Sequence, residues 1–313
     1  MTNLSEFTFL SSDGKTQLHG MLWEPEGVAV RAVLQICHGV AEHIARYDGF
    51  ARALNEQGIV VAGHDHLGHG KSLPEGGTPV YFGDGNTWNT VVDDIYVLHQ
   101  RLKQRYPDAP LCIMGHSMGS FLTRTYLIRY PGTVKAAVIM GTGWQPRAAI
   151  TGGLALANAI AAVSGENATS ELVTELAFGS YNKLFAPNRT KVDWLSADES
   201  NVDDYIADPL CGADATVGLF RQMLHGIRFN QRQSHLRQMD REMPVLFVAG
   251  DKDPVGSCGK GVRQTYDAFR AAGMRDCTLK LYPGLRHEIL NEKAYTADIT
   301  KNIEAWLLSR LEK

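Results

Sequence analysis

The chain has 313 residues, of which 44% are hydrophobic and 21% charged, with a formal net charge of −3 and a pI of about 6.4. That is ordinary globular usage, enough for one large α/β domain or two small ones. Lysine and arginine form no cluster, which argues against nucleic acid as a partner. The cysteines (Cys37, Cys112, Cys211, Cys258 and Cys277) are scattered and form no CxxC pair. No disulfide framework is expected, and the compartment reads as reducing and cytoplasmic. The opening MTNLSEFTFLSSDGK lacks a basic segment followed by an apolar one, so no signal peptide is expected. No apolar run reaches the roughly 18 residues a bilayer span requires. The nearest, residues 148–163, is interrupted by Gly152, Gly153 and Asn158 and is read as too short to span.

Short β-branched or apolar runs alternate with helical patterns, the signature of βα units on a mostly parallel sheet. FTFL (7–10) and QLHGMLW (17–23) flank the turn SSDGK and read as a hairpin. AVLQIC (32–37) reads as a buried strand, and residues 47–57 as a helix stopped by Gly58. IVVAGHD (59–65) is the next strand, followed by a helix over 89–106 that stops before Pro107. LCIM (111–114), a helix over 120–130 and VKAAVIM (134–140) continue the rhythm. From Gly143 to Asp240 there are only helix-like or irregular stretches. MPVLFVAG (243–250) resumes the sheet, with a helix over 260–272, the strand CTLKLY (277–282) and a last helix over 298–311. The simplest organisation is one core of residues 1–142 and 241–313, with a helical cap of residues 143–240 between its halves.

Behind the strand LCIM stands Gly115-His116-Ser117-Met118-Gly119, a G-x-S-x-G pattern in the strand–turn–helix setting it needs. The turn exposes Ser117 Oγ, and the glycines let strand and helix approach closely. A hydroxyl nucleophile needs a base, and the base needs an orienting acid. In this setting they follow in the order serine, acid, histidine. Asp251 and Asp253 follow the resumed strand, and His287 follows the next one, so all would meet at the carboxyl edge of the sheet. The oxyanion of an acyl-transfer intermediate needs backbone donors. Met118 N–H, behind the nucleophile, is one, and Val40 N–H, in the loop His38-Gly39-Val40, is the other.

HGVAEHIARYDGFARAL, HDHLGHGKS, GHSMGS, VAGDKDPVG and LYPGLRHEILNE occur in that order. Together they closely resemble the monoacylglycerol lipase and lysophospholipase-like branch of the α/β-hydrolases, the serine aminopeptidase S33 type. The resemblance covers almost the whole chain. It implies the α/β-hydrolase fold, a mostly parallel central sheet flanked by helices with a helical cap inserted between its halves. It also implies a Ser117–Asp253–His287 triad, Val40 and Met118 at the oxyanion hole, and hydrolysis of small lipophilic esters such as monoacylglycerols or lysophospholipids. The same fold hosts acyltransferases, thioesterases, peptidases and a few non-catalytic binding proteins. Ala41 departs from the pattern, since these lipases often carry glycine there, and its methyl group is expected to alter the loop beside the acyl pocket.

HDHLGHG (64–70) poses a separate question, because His64, His66 and His69 could in principle bind zinc. By resemblance the stretch is a D-x-x-G-x-G-x-S turn with Asp65, Gly68, Gly70 and Ser72 at its fixed positions. A metallo-hydrolase pattern H-x-H-x-D-H is broken by Gly68, and a serine mechanism needs no metal. No metal and no cofactor are therefore expected. The apolar stretch GGLALANAIAAV opens the cap and reads equally as a lipid-facing lid, with transient membrane contact, or as a helix packed inside the cap. Asp208, later in the cap, reads as structural.

Overall fold

A computed structural model of the chain, described over residues 1–311 apart from the side chains of residues 176 and 177, holds one eight-stranded sheet. Its strands are β1 (Thr2–Leu10), β2 (Gln17–Pro25), β3 (Ala32–Cys37), β4 (Ile59–His64), β5 (Leu111–His116), β6 (Ala136–Met140), β7 (Val245–Gly250) and β8 (Cys277–Tyr282). The longer helices are α1 (Asp48–Asn55), α2 (Thr87–Arg105), α3 (Met118–Arg129), α4 (Arg147–Ser164), α5 (Glu199–Ala207), α6 (Val217–Asn230), α7 (Lys260–Ala272) and α8 (Thr296–Leu311). The spatial order is β1-β2-β4-β3-β5-β6-β7-β8. The pairs β1/β2 and β2/β4 are antiparallel, and every pairing from β4 across to β8 is parallel.

β3, β4, β5 and β7 are mostly apolar and are buried along their whole length because helices cover both faces of the sheet. Successive side chains alternate between two cores. Val33, Ile113 and Ile139 face one, with Val91, Ile95 and Leu98 of α2 and Phe121 and Leu122 of α3. Leu34, Ile36, Met114 and Val138 face the other, with Phe50 and Leu54 of α1 and Ile299, Ile303 and Leu307 of α8. Each such side chain contributes roughly 1.5–3 kcal/mol on burial.

β1 is longer than the sequence pattern predicts. Residues 2–6 are mostly polar and largely exposed, and they are held by backbone pairing to β2 rather than by burial. α3 starts immediately after Ser117, earlier than its apolar spacing suggests. α4 is 18 residues long with a mean hydropathy of 1.3, which makes it long and apolar enough to cross a membrane, against the expectation of too short a stretch. The helix runs past both ends of the apolar run, from Arg147 behind Pro146 to Ser164, and Gly165 follows at φ 86°. Its Ile150 and Leu154 belong to the same apolar cluster as Leu219 and Leu224 of α6.

The chain leaves β3 for β4 on one side and then crosses to β5 on the other. At such a reversal the loops at the carboxyl ends of the strands diverge and leave a crevice. The segment joining β6 to β7 carries helices and one isolated bridge, Thr169–Thr216, among the described residues, and it lies over this crevice.

Candidate active site

Ser117 sits between β5 and α3 with φ 54° and ψ −122°, a conformation that persists only when its surroundings enforce it. Its N–H donates to Met140 O at 3.0 Å, and its carbonyl accepts from Ser120 Oγ at 2.6 Å. Gly115 and Gly119 are obligatory for a steric reason. A Cβ on Gly115 would strike the Gly119 carbonyl, and one on Gly119 would strike that of Cys37. Ser117, strand and helix are therefore locked as one unit.

Asp253, after β7, is fully buried, and its Oδ1 accepts from His287 Nδ1 and from Val255 N–H, both at 2.9 Å. His287, after β8, is 2% exposed. A Cβ on Gly141 would lie 3.1 Å from His287 Cε1, and Gly141 directly follows Met140, the residue bonded to Ser117 N–H. Ser117 and His287 thus flank one end of β6. Asp251 points elsewhere, with its Oδ1 accepting from Gly284 N–H at 2.8 Å.

Val40 and Met118 line the same cavity as Ser117. Met118 opens α3, so its N–H lies in the first turn, where helical N–H groups lack an intrahelical acceptor. The loop carrying Val40 is held by a network that the sequence motifs do not reveal. Glu42 Oε1 accepts from Gly39 N–H at 2.5 Å, Tyr47 OH at 3.0 Å and His116 Nδ1 at 3.3 Å. Arg46 Nη1 donates to Glu42 Oε2 at 2.8 Å and to Glu288 Oε1 at 2.7 Å, and Asn201 donates to Glu288 Oε2 at 2.8 Å. The spacing Glu42-x-x-x-Arg46 is a visible cue, but Glu288 is distant in sequence. Both nitrogens of His116 face acceptors, Glu42 and the His287 carbonyl. Burial opposes its charged form, but the bond to Glu42 and that carboxylate's charge outweigh burial and raise the pKa. Glu42 responds in kind: burial favours its neutral form, yet His116 and Arg46 hold it well below the usual carboxylate range. Ala41, in this loop, has φ 52°, a left-handed conformation that favours glycine, so its departure from the family pattern carries backbone strain.

The histidine-rich turn is a packed structure. The rings of His38 and His66 lie 4.2 Å apart and those of His64 and His66 5.0 Å, the latter pair near-perpendicular at 89°. His38 Nε2 accepts from His66 N–H at 3.0 Å. Asp65 ties the turn down, accepting from Ile44 N–H at 2.8 Å and from Lys71 N–H and His19 Nδ1 at 2.9 Å. Ser72 Oγ donates to the Asp65 carbonyl at 2.7 Å. Gly68, at φ 70°, packs on the Tyr81 backbone, where a Cβ would collide.

A cavity of about 440 Å³ opens from Ser117. Phe121 and Met118 line it from α3, while Leu156, Phe178, Trp194, Met223 and Leu224 line it from the helical segment between β6 and β7. Trp194 also packs on His287, ring centroids 5.1 Å apart.

A mostly parallel eight-stranded sheet, a strained serine between strand and helix, and a buried carboxylate–histidine pair at the same edge define an α/β-hydrolase. The family model of serine aminopeptidase, S33, matches residues 28–294, and the chain belongs to that family. It is 31% identical to a monoacylglycerol lipase of Mycolicibacterium smegmatis over 98% of each chain. It is 28% identical to the monoglyceride lipase of Mus musculus, covering 96% of this chain and 90% of that one. Among solved structures, a highly thermostable carboxyl esterase from Bacillus coagulans in complex with glycerol superposes with a TM-score of 0.92 at 26% identity, over 99% of this chain and 100% of that one. A lipase in its open form gives 0.91 at 27% identity, with the same coverage. The protein is a serine ester hydrolase.

Proposed function

We propose that the protein hydrolyses monoacylglycerols and related single-chain esters, lysophospholipids included, through a Ser117–His287–Asp253 triad. Ser117 Oγ attacks the ester carbonyl while His287 Nε2 takes its proton. The tetrahedral oxyanion rests on the N–H groups of Val40 and Met118. It collapses as His287 returns the proton to the departing glycerol, leaving an acyl-enzyme. Water, deprotonated by His287, releases the fatty acid and regenerates Ser117. Asp253 holds the imidazole with Nδ1–H inward and steadies its charge.

The observation that carries the reading is the cavity of about 440 Å³ whose apolar wall begins at Ser117. An aliphatic chain seated there gains about 0.8 kcal/mol per buried methylene. The relatives support the same substrate class: the mycobacterial and mouse proteins are lipases of monoacylglycerols. In this reading residues 1–142 and 241–313 form the catalytic core and residues 143–240 the lid. The outward face of α4, which includes Ala155, Ala159 and Val163, makes transient contact with the lipid surface that supplies substrate. A cytoplasmic setting fits the free thiols of all five cysteines.

The test is a panel of p-nitrophenyl esters from acetate to palmitate beside monoacylglycerols, lysophosphatidylcholine, acyl thioesters and peptide amides, run on wild type and Ser117→Ala. Wild type should favour medium and long single-chain esters and label with a fluorophosphonate probe. Ser117→Ala should lose the label and about 10⁶ in kcat while folding normally. Retention of most activity by the variant would overturn the nucleophile assignment, and a preference for amides or thioesters the substrate class.

A further inference from the structure

Away from the residues that line the Ser117 cavity, one side-chain cluster joins the segment between β6 and β7 to the loop that carries Val40. His43 lies three residues beyond Val40 and is 8% exposed. Its Nε2 sits 2.8 Å from Asp208 Oδ2. Cys211 completes the group, and one ligand atom from each of the three lies within 4.8 Å of the others. The backbone arranges this convergence. Cys211 N–H donates to the Asp208 carbonyl at 3.0 Å, a turn that puts carboxylate and thiol on one side. Gly212 N–H and Tyr205 OH both donate to Ala41 O at 3.0 Å, which presses that turn against the loop carrying His43.

We infer that His43, Asp208 and Cys211 form a three-ligand site for a zinc-class divalent cation, separate from the catalytic machinery. The donor set of one imidazole, one carboxylate and one thiolate suits a borderline-soft tetrahedral ion and not calcium or magnesium, which take oxygen ligands. Bond lengths of about 2.0–2.3 Å to N, O and S bring tetrahedral ligand atoms within about 4 Å of each other, so modest side-chain rotations close the site. On binding, the Cys211 thiol releases its proton to solvent, the His43–Asp208 hydrogen bond gives way to two metal bonds, and water takes the fourth position. Local charge favours this. The carboxylates Glu42, Glu288 and Asp208 outnumber the paired cations Arg46 and His116 around the site, which favours a dication there. The bound ion would fasten the cap's return segment to the loop that presents Val40.

The experiment uses the whole chain and does not depend on its activity. Titrated with cobalt(II), the wild type should bind one equivalent and show a thiolate-to-cobalt charge-transfer band. In chelator-buffered zinc the melting temperature should rise, and zinc should shield Cys211, but not the exposed Cys258, from alkylation read by peptide mass. Cys211→Ser should abolish the band and weaken zinc binding at least about tenfold, whereas Cys258→Ser should leave both intact. Wild-type protein that binds no zinc at micromolar free metal, or binding that survives Cys211→Ser unchanged, overturns the site. Alkylation protection is measured on the wild type, so it decides the matter even if a ligand variant fails to fold.

Discussion

Asp251 and Asp253 leave the same strand and serve different ends. Pro254 biases Asp253 toward an extended backbone, and its carboxylate turns inward to His287 Nδ1, while that of Asp251 secures Gly284 in the turn after β8. Asp253→Asn preserves shape but supports the wrong imidazole tautomer, so kcat on a short ester should fall by about 10⁴. Asp251→Asn should leave kcat within about tenfold and lower stability by about 1 kcal/mol. Steady-state kinetics and urea midpoints of both variants check the pair. If Asp251→Asn is the more damaging to kcat, the acid is misassigned. The case for Asp253 over Asp251 was legible in the sequence, through the resemblance and through Pro254. The Glu42–Arg46–Glu288 network was not, since only the fold brings residue 288 to the loop at 42. The cluster of His43, Asp208 and Cys211 escaped for the same reason, and Asp208 alone read as a structural residue.

At the scale of elements, α4 serves two surfaces. Ile150 and Leu154 are buried, Leu156 reaches the cavity, and the remaining face meets solvent. A carboxylate placed at Leu156 would stand in the apolar wall of the cavity, where the proposed function seats an acyl chain. Leu156→Asp should therefore depress activity on a dodecanoate ester far more than on acetate, since each lost methylene contact is worth up to about 0.8 kcal/mol. Equal losses on both esters would indicate general damage to the cap. The parallel core was readable strand by strand because buried strands are continuous apolar runs bounded by turns. The start of β1 was not, because residues 2–6 owe their conformation to the backbone of β2 rather than to any pattern of their own. The full length of α4 was also missed: arginine at one end and serine at the other extend the helix beyond its apolar run.

At the scale of the whole molecule, buried histidines set the response to acid. Burial pushes His64 and His69 down to about 3 and His99 down to about 4, and it lowers His38 and His66 as well. In the unfolded chain each titrates near 6.5. Below about pH 6.5 the unfolded state therefore binds protons that the native state refuses, and each such group removes about 1.4 kcal/mol per pH unit until its native pKa is reached. His19 and His116 have raised values and act in the opposite sense: their contribution is complete in acid and fades as pH rises through the native pKa. Asp65, lowered to about 2 against the desolvation that opposes it, withdraws its share only below about pH 4. The urea midpoint should fall between pH 7 and pH 5, because these five lowered histidines outweigh Asp94, which burial raises to about 6 and which acts in the opposite sense in that window. A midpoint that stays flat to pH 5 would mean that the histidine cluster accepts protons in the native state.

β6 and β7 lie side by side in the sheet, yet residues 141–244 separate them along the chain. Pairing them encloses a very long loop, and the entropy of closing such a loop grows only logarithmically. Doubling or halving its length changes the cost by only about 0.6 kcal/mol. In closure entropy, therefore, the segment that lines the Ser117 cavity can be lengthened or shortened at little cost to the sheet. Selection on which esters are accepted can act on the length of this one stretch of the gene while the stretches that encode the sheet stay as they are.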